Sequence, residues 1–186
     1  MGNAISRHRR PAGPAPAARL RACEDGAVAV EYAMIAPAFM ALLLGILQTG
    51  VLFLSQQGLE TAAEDATRLI LTGQAQKSSL TAAQFRSRAC QSLPHYLSCT
   101  NLMVDVTTIS SYSAAQLGPP TITYDASGNV SNSFTFSTGG RNSIVVLRLM
   151  YMMPVIGAPL GYNISNQPSG KRLLIATSVF RNEYYS

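Results

Sequence analysis

Apolar and polar positions divide the chain into three regimes. An arginine- and proline-rich start gives way, from Ala27 to Leu54, to an almost unbroken apolar run. Across residues 27–59 the only charged side chain is Glu31. As a helix, the 28 residues from Ala27 to Leu54 span about 42 Å, more than the roughly 30 Å hydrocarbon core of a bilayer. Past Leu54 the pattern becomes amphipathic. Leu59, Ala62, Ala63, Ala66, Leu69 and Ile70 recur at helical spacing on one face. Glu60, Glu64 and Arg68 take the other, with Glu64 and Arg68 spaced for an i,i+4 pair. Gly73 is a natural stop. The pattern predicts one helix from about residue 27 to 72, near 69 Å long. Its first half belongs in lipid or a filament core, and its second half against a small external domain.

Beyond Asn101 the period shortens to two. Met103 to Ile109 is rich in β-branched residues. Thr121–Tyr124 and Ser133–Phe136 alternate around Asp125-Ala126-Ser127-Gly128-Asn129 and predict a hairpin. Ile144–Met153 and Leu173–Phe180 are the strongest strands, joined by a Pro/Gly-rich loop from Pro154 to Gly170. In that loop Val155, Ile156, Pro159 and Leu160 form either a contact surface or part of the domain's own core. The predicted class is α+β: a long N-terminal helix, transmembrane then external, packed against a small antiparallel β-sheet. The expected domains are a basic leader (1–26), a transmembrane helix (27–54), an external helix extension (55–73) and a β-rich external domain (74–186).

Charge adds orientation. Charged residues make up only 12% of the chain, against about a quarter in ordinary soluble domains. The net charge of +5 is uneven: Arg7, Arg9, Arg10, Arg19 and Arg21 all precede Gly26. Beyond it nine basic residues face seven acidic ones with no basic stripe, so nucleic acid is not an expected partner. Basic residues ahead of the apolar run leave the N-terminus in the cytoplasm and residues 55–186 outside. A cleaved secretory signal fits poorly. Its apolar region is about 7–15 residues with a small-residue cleavage site behind it, and the nearest candidate here, Leu59-Glu60-Thr61-Ala62-Ala63, lies inside a helical pattern. A lipoprotein signal fails because Cys23 precedes the apolar run.

A carboxylate within a membrane-spanning segment costs about 2.5–3.5 kcal/mol on insertion scales, so Glu31 is a functional residue by default. Glycine, four apolar residues, Glu31-Tyr32 and an apolar helix together resemble the processing site of type IV prepilins, more narrowly those of the Flp, or tight adherence, pilus. The resemblance implies that a prepilin peptidase cuts after Gly26, leaving Ala27 as the new N-terminus with Glu31 fifth and Tyr32 sixth. Cleavage creates an α-amino group with a pKa near 7.7–8.0. In a filament, Glu31 of one subunit can lie level with the Ala27 amine of a neighbour. A misregistered subunit leaves that charge unpaired, so the acid sets stagger as well as stability. The plainer alternative is that Glu31, about 6 Å along the helix from Ala27, reaches the headgroups. Pro37 and the glycines at 45 and 50 are compatible with ordinary membrane helices.

Gln56-Gln57, Thr61-Ala62-Ala63 and the following Ala66 and Arg68 also resemble TadE-like proteins of the tight adherence system. The ending Phe180-Arg181-Asn182-Glu183-Tyr184 is similar to endings in that family. Cys90 and Cys99 fall on the expected outer side and Cys23 on the inner. An oxidising compartment favours a Cys90–Cys99 disulfide, with free thiols as the alternative. A zinc site has only His95 nearby and wants four ligands. No nucleotide-binding, nucleophile-elbow or metal motif occurs, so neither catalysis nor a cofactor is expected. The resemblance implies a minor pseudopilin of the bacterial inner membrane, single-pass, assembling into or priming the pilus. Its partners are the prepilin peptidase, other pilus subunits, the assembly platform and membrane lipid. The alternative is a permanently anchored envelope protein with an external binding domain.

Overall fold

A computed structural model describes residues 25–116, 118–155 and 161–184. The arginines and Cys23 of the leader, and Ile156, Pro159 and Leu160 of the long loop, lie outside the described residues. The chain divides into two units, residues 1–43 and 44–186. Described residues of the first are helix throughout, the opening of α1 (Asp25–Leu71). The rest of α1 belongs to the second unit with α2 (Gln74–Lys77), α3 (Ala82–Gln91) and strands β1 (Leu102–Ile109), β2 (Ile144–Pro154) and β3 (Lys171–Arg181). Together they form a long helix and a three-stranded antiparallel sheet in the order β1-β2-β3, an α+β fold.

The sheet's register shows why its strands are more apolar than a half-exposed strand requires. Opposite each other on one face stand Leu102 and Tyr151, Val104 and Leu149, Val106 and Leu147, with Leu174, Ala176 and Phe180 continuing onto β3. These side chains meet Leu59, Ala62, Ala63, Ala66 and Ile70 of α1 and Phe85 and Ala89 of α3 in the main core. The amphipathic face expected from sequence is therefore the buried one. Only Leu69 is half-exposed, and it still packs on that core. Three alanines allow the helix backbone to lie close to the sheet. The opposite face carries Met150, Met152 and Leu173, covered by Ile122, Tyr124, Val130 and Phe134. Covered on both sides, β2 reads as a continuous apolar run rather than an alternation.

α1 ends where Gly73 takes a left-handed conformation, φ 75°. The Gly73 amide bonds Ile70 O, and the Glu183 amide caps Leu71 O at 3.0 Å, tying the chain's last segment to the helix end. Glu64 and Arg68 form no ion pair, contrary to the sequence expectation. Both are exposed, where such a pair gives little to offset side-chain ordering. Instead Gln56 and Gln57 both donate to the Glu60 carboxylate.

The expected hairpin is also different. Residues 121–136 form no paired strands; one bridge joins Tyr124 and Val130. Beside the turn the Asp125 amide bonds Asn129 O and the Ser131 amide bonds Thr123 O; beyond them the Asn132 side chain takes over, accepting from the Thr123 amide and donating to Thr121 O. The chain then leaves for the free edge of β1, where the Val106 amide donates to Thr135 O and the Ser137 amide to Val106 O. An unpaired β1 edge competed successfully for the second arm.

Candidate functional site

The processing segment is helical from the start. Gly26, Ala27, Glu31 and Tyr32 lie in the first two turns of α1, all exposed. Among the described residues no heavy atom lies within 4 Å of where a Cβ at Gly26 would stand, apart from its chain neighbours and the helix's own backbone. Tyr32 is 73% exposed. Ala27 and Glu31, four apart, share one helix face, continued by Met34 and Ile35. Among the described residues Glu31 has no hydrogen bond or ion pair. Nothing within the subunit's described part neutralises it.

Exposure persists up the helix. Val28, Val30, Met34, Ile35, Phe39, Leu42, Ile46, Val51, Phe53 and Leu54 all point outward. A water-facing helix spaces such residues along one stripe; here they encircle it, the signature of a surface meant for lipid or other helices. The helix is long and apolar enough to cross a membrane, with a mean hydropathy of 2.0 over its most apolar stretch. This fits a single-pass membrane protein.

In the second unit, α1 is held to the domain by close packing and by the Gln56 side chain. Ser55, fully buried, turns its hydroxyl back onto Val51 O at 2.8 Å. Gln56 Nε2 donates to Ile175 O at 3.1 Å, engaging the outer edge of β3. Gly58 sits under Pro94: a Cβ there would lie 2.4 Å from the Pro94 Cγ. Pro94 belongs to a loop closed by the Cys90–Cys99 disulfide, whose Cα atoms are 5.7 Å apart. Arg86 braces the same loop, donating to Cys99 O and Thr100 O at 2.7 and 2.9 Å. Cys90 is buried among the core side chains, Cys99 is exposed.

Sequence reasoning overlooked several of these contacts. A lone glycine inside a helical pattern signals a packing constraint, which was available for Gly58. The two lone, opposite charges inside apolar strands, Asp105 and Arg148, were equally visible. They face each other across β1 and β2 and pair at 3.2 Å, while Asp105 also accepts from the Thr135 amide and Arg148 donates to Gln116 O. No sequence pattern signalled Tyr162, which reaches Gly45 and Thr49 on α1.

Residues 26–68 match the family model described as TadE-like protein. Over that segment the chain is TadE-like. No curated protein and no solved structure matches it. The matched stretch begins at Gly26 and ends beside Leu69. It thus takes in the exposed apolar helix and the alanine face that seats the sheet. A TadE-like segment of this kind suggests a protein associated with the Tad pilus.

Proposed function

We propose that the chain is a minor pseudopilin of a Flp/Tad-type adhesion pilus. A prepilin peptidase trims it after Gly26 on the cytoplasmic side of the bacterial inner membrane, and it then assembles into the pilus or primes it. The folded domain faces the periplasm, its role is non-catalytic, and its partners are other pilus subunits and the inner-membrane assembly platform. The observation that carries this reading is the lone Glu31, without a partner among the described residues, in an all-round apolar helix, five residues past an exposed glycine at which the TadE-like segment begins. Cleavage gives Ala27 an ammonium group, and a neighbouring copy's Glu31 supplies the charge to neutralise it.

The test is co-expression with a prepilin peptidase. The wild-type chain should shorten by its leader, and Gly26→Val should stay full length while remaining in the membrane fraction. Full-length wild type under conditions where a known prepilin is cut would favour a permanently anchored envelope protein. The self-contained core of the second unit suits that reading too.

A further inference from the structure

We infer that the outer boundary of the hydrocarbon layer crosses α1 at Gly45–Thr49, and that Tyr162 anchors the external domain in the lipid headgroup region. This rests on the proposed membrane insertion of α1 and adds its depth.

The apolar run is too long for the bilayer. Its 28 residues, Ala27 to Leu54, span about 42 Å against a hydrocarbon core of roughly 30 Å. Composition alone does not say where the excess goes, but the Tyr162 contact does. The ring of Tyr162 lies over Gly45, its Cδ1 3.8 Å from where a Cβ would stand. Its hydroxyl is 3.0 Å from Thr49 Oγ1. Thr49 already donates its one proton to Gly45 O at 2.8 Å, so Tyr162 is the donor in that pair. The ring therefore stands in ordinary van der Waals contact with the helix at 45, and threonine at 49 offers the acceptor one turn further on.

Tyr162 is followed by irregular, polar chain. Asn163 is exposed, and its side chain accepts from the Ser165 amide. Lipid-exposed irregular backbone is not tolerated in hydrocarbon, where its polar groups lack partners. This segment therefore stays at or outside the lipid boundary, and the helix positions it touches stay with it. Ala27 to Leu44 then remain for the hydrocarbon: 18 residues, about 27 Å, close to the core thickness. Tyr162 suits the boundary chemically. It is 46% exposed, with an apolar ring and a polar tip, the amphipathic character that concentrates tyrosine at membrane interfaces. The same placement leaves Val51, Phe53 and Leu54 outside the hydrocarbon.

The test uses the full chain carrying Cys23→Ser, with the Cys90–Cys99 bridge oxidised. It is reconstituted at high dilution in phosphatidylcholine vesicles and labelled with an environment-sensitive fluorophore at single cysteines replacing Met40, Ile46 or Phe53. Lipids brominated at mid-chain should quench the probe at 40 strongly and leave that at 53 unquenched. Tyr162→Ala should let the helix sink, raising quenching at 46, and Tyr162→Trp should not. Strong quenching at both 40 and 53 would overturn the boundary while leaving membrane insertion intact. Absence of quenching at 40 would overturn insertion itself. Unchanged quenching at 46 in Tyr162→Ala would remove Tyr162 as the anchor.

Discussion

Glu31 carries the functional proposal at the residue scale. Its carboxylate is exposed and has no partner among the described residues, so removing it disturbs no contact among them. Glu31→Val should insert in the membrane at least as well as wild type, since an apolar side chain replaces a carboxylate that would cost up to about 2.5–3.5 kcal/mol at a helix centre. Assembly should nevertheless fail, measured as chain recovered in sheared pili against chain retained in the membrane fraction. Normal incorporation of the variant would remove charge pairing from the account. A second carboxylate acts locally. Asp125 Oδ1 accepts from the amides of Asn129 and Ser127 at 2.8 and 2.9 Å, closing the 125–129 turn. Bonding from the Asn129 backbone, with smaller help from its side chain and from Ser127 and Gly128, holds the carboxyl below its ordinary 3.8. A depressed folded-state pKa means that the turn's support is present above the ordinary value and lost as pH falls through the folded one. Amide resonances of Ser127 and Asn129 should therefore stay constant from neutral pH down to about 4 and move together only below it. Movement beginning above the ordinary carboxylate range would contradict the assignment.

Elements are held by close approach more than by charge. Gly58→Ala sets two effects against each other. Alanine in a helix interior gains about 1 kcal/mol over glycine, whereas overpacking costs about 1–3 kcal/mol. The Cβ would meet ring carbons of Pro94 at 2.4 and 2.7 Å, and Pro94 sits in a loop fastened by the disulfide, so the clash should win. The melting temperature in detergent should fall by a few degrees, at roughly 2–4 °C per kcal/mol for a domain of this size. A rise would show that the loop yields. How much was legible follows the same division. The helix and the principal strands, with the helix face that seats the sheet, were readable because hydrophobic period reports burial directly. α3 was missed although Thr81-x-x-Gln84 spells its capping box, with both reciprocal bonds formed, because a ten-residue helix of low hydrophobicity leaves little period to see. The hairpin was legible at its 125–129 turn and its Tyr124–Val130 bridge, but not in the path of its second arm, because alternation marks a strand without naming its partner. At the site, the spacing of Gly26 and Glu31 was plain in the sequence. Contacts made between distant segments, Tyr162 with Thr49 and Gln56 with Ile175, carry no local pattern.

The whole molecule combines two requirements that the TadE-like segment joins. An exposed apolar helix has to find lipid or other helices, and on the proposed placement the Cys90–Cys99 bridge closes in an oxidising compartment. The arginines before Gly26 would hold the unprocessed chain N-inside, and the proposed cleavage would turn the leader's end into a charged terminus for a neighbouring copy's Glu31 to pair with. The most direct test is the intact mass of the protein recovered from its native membrane. The account predicts a chain beginning at Ala27, with Glu31 as its fifth residue. A chain that retains Met1 to Gly26 would contradict it and leave a tethered α+β domain.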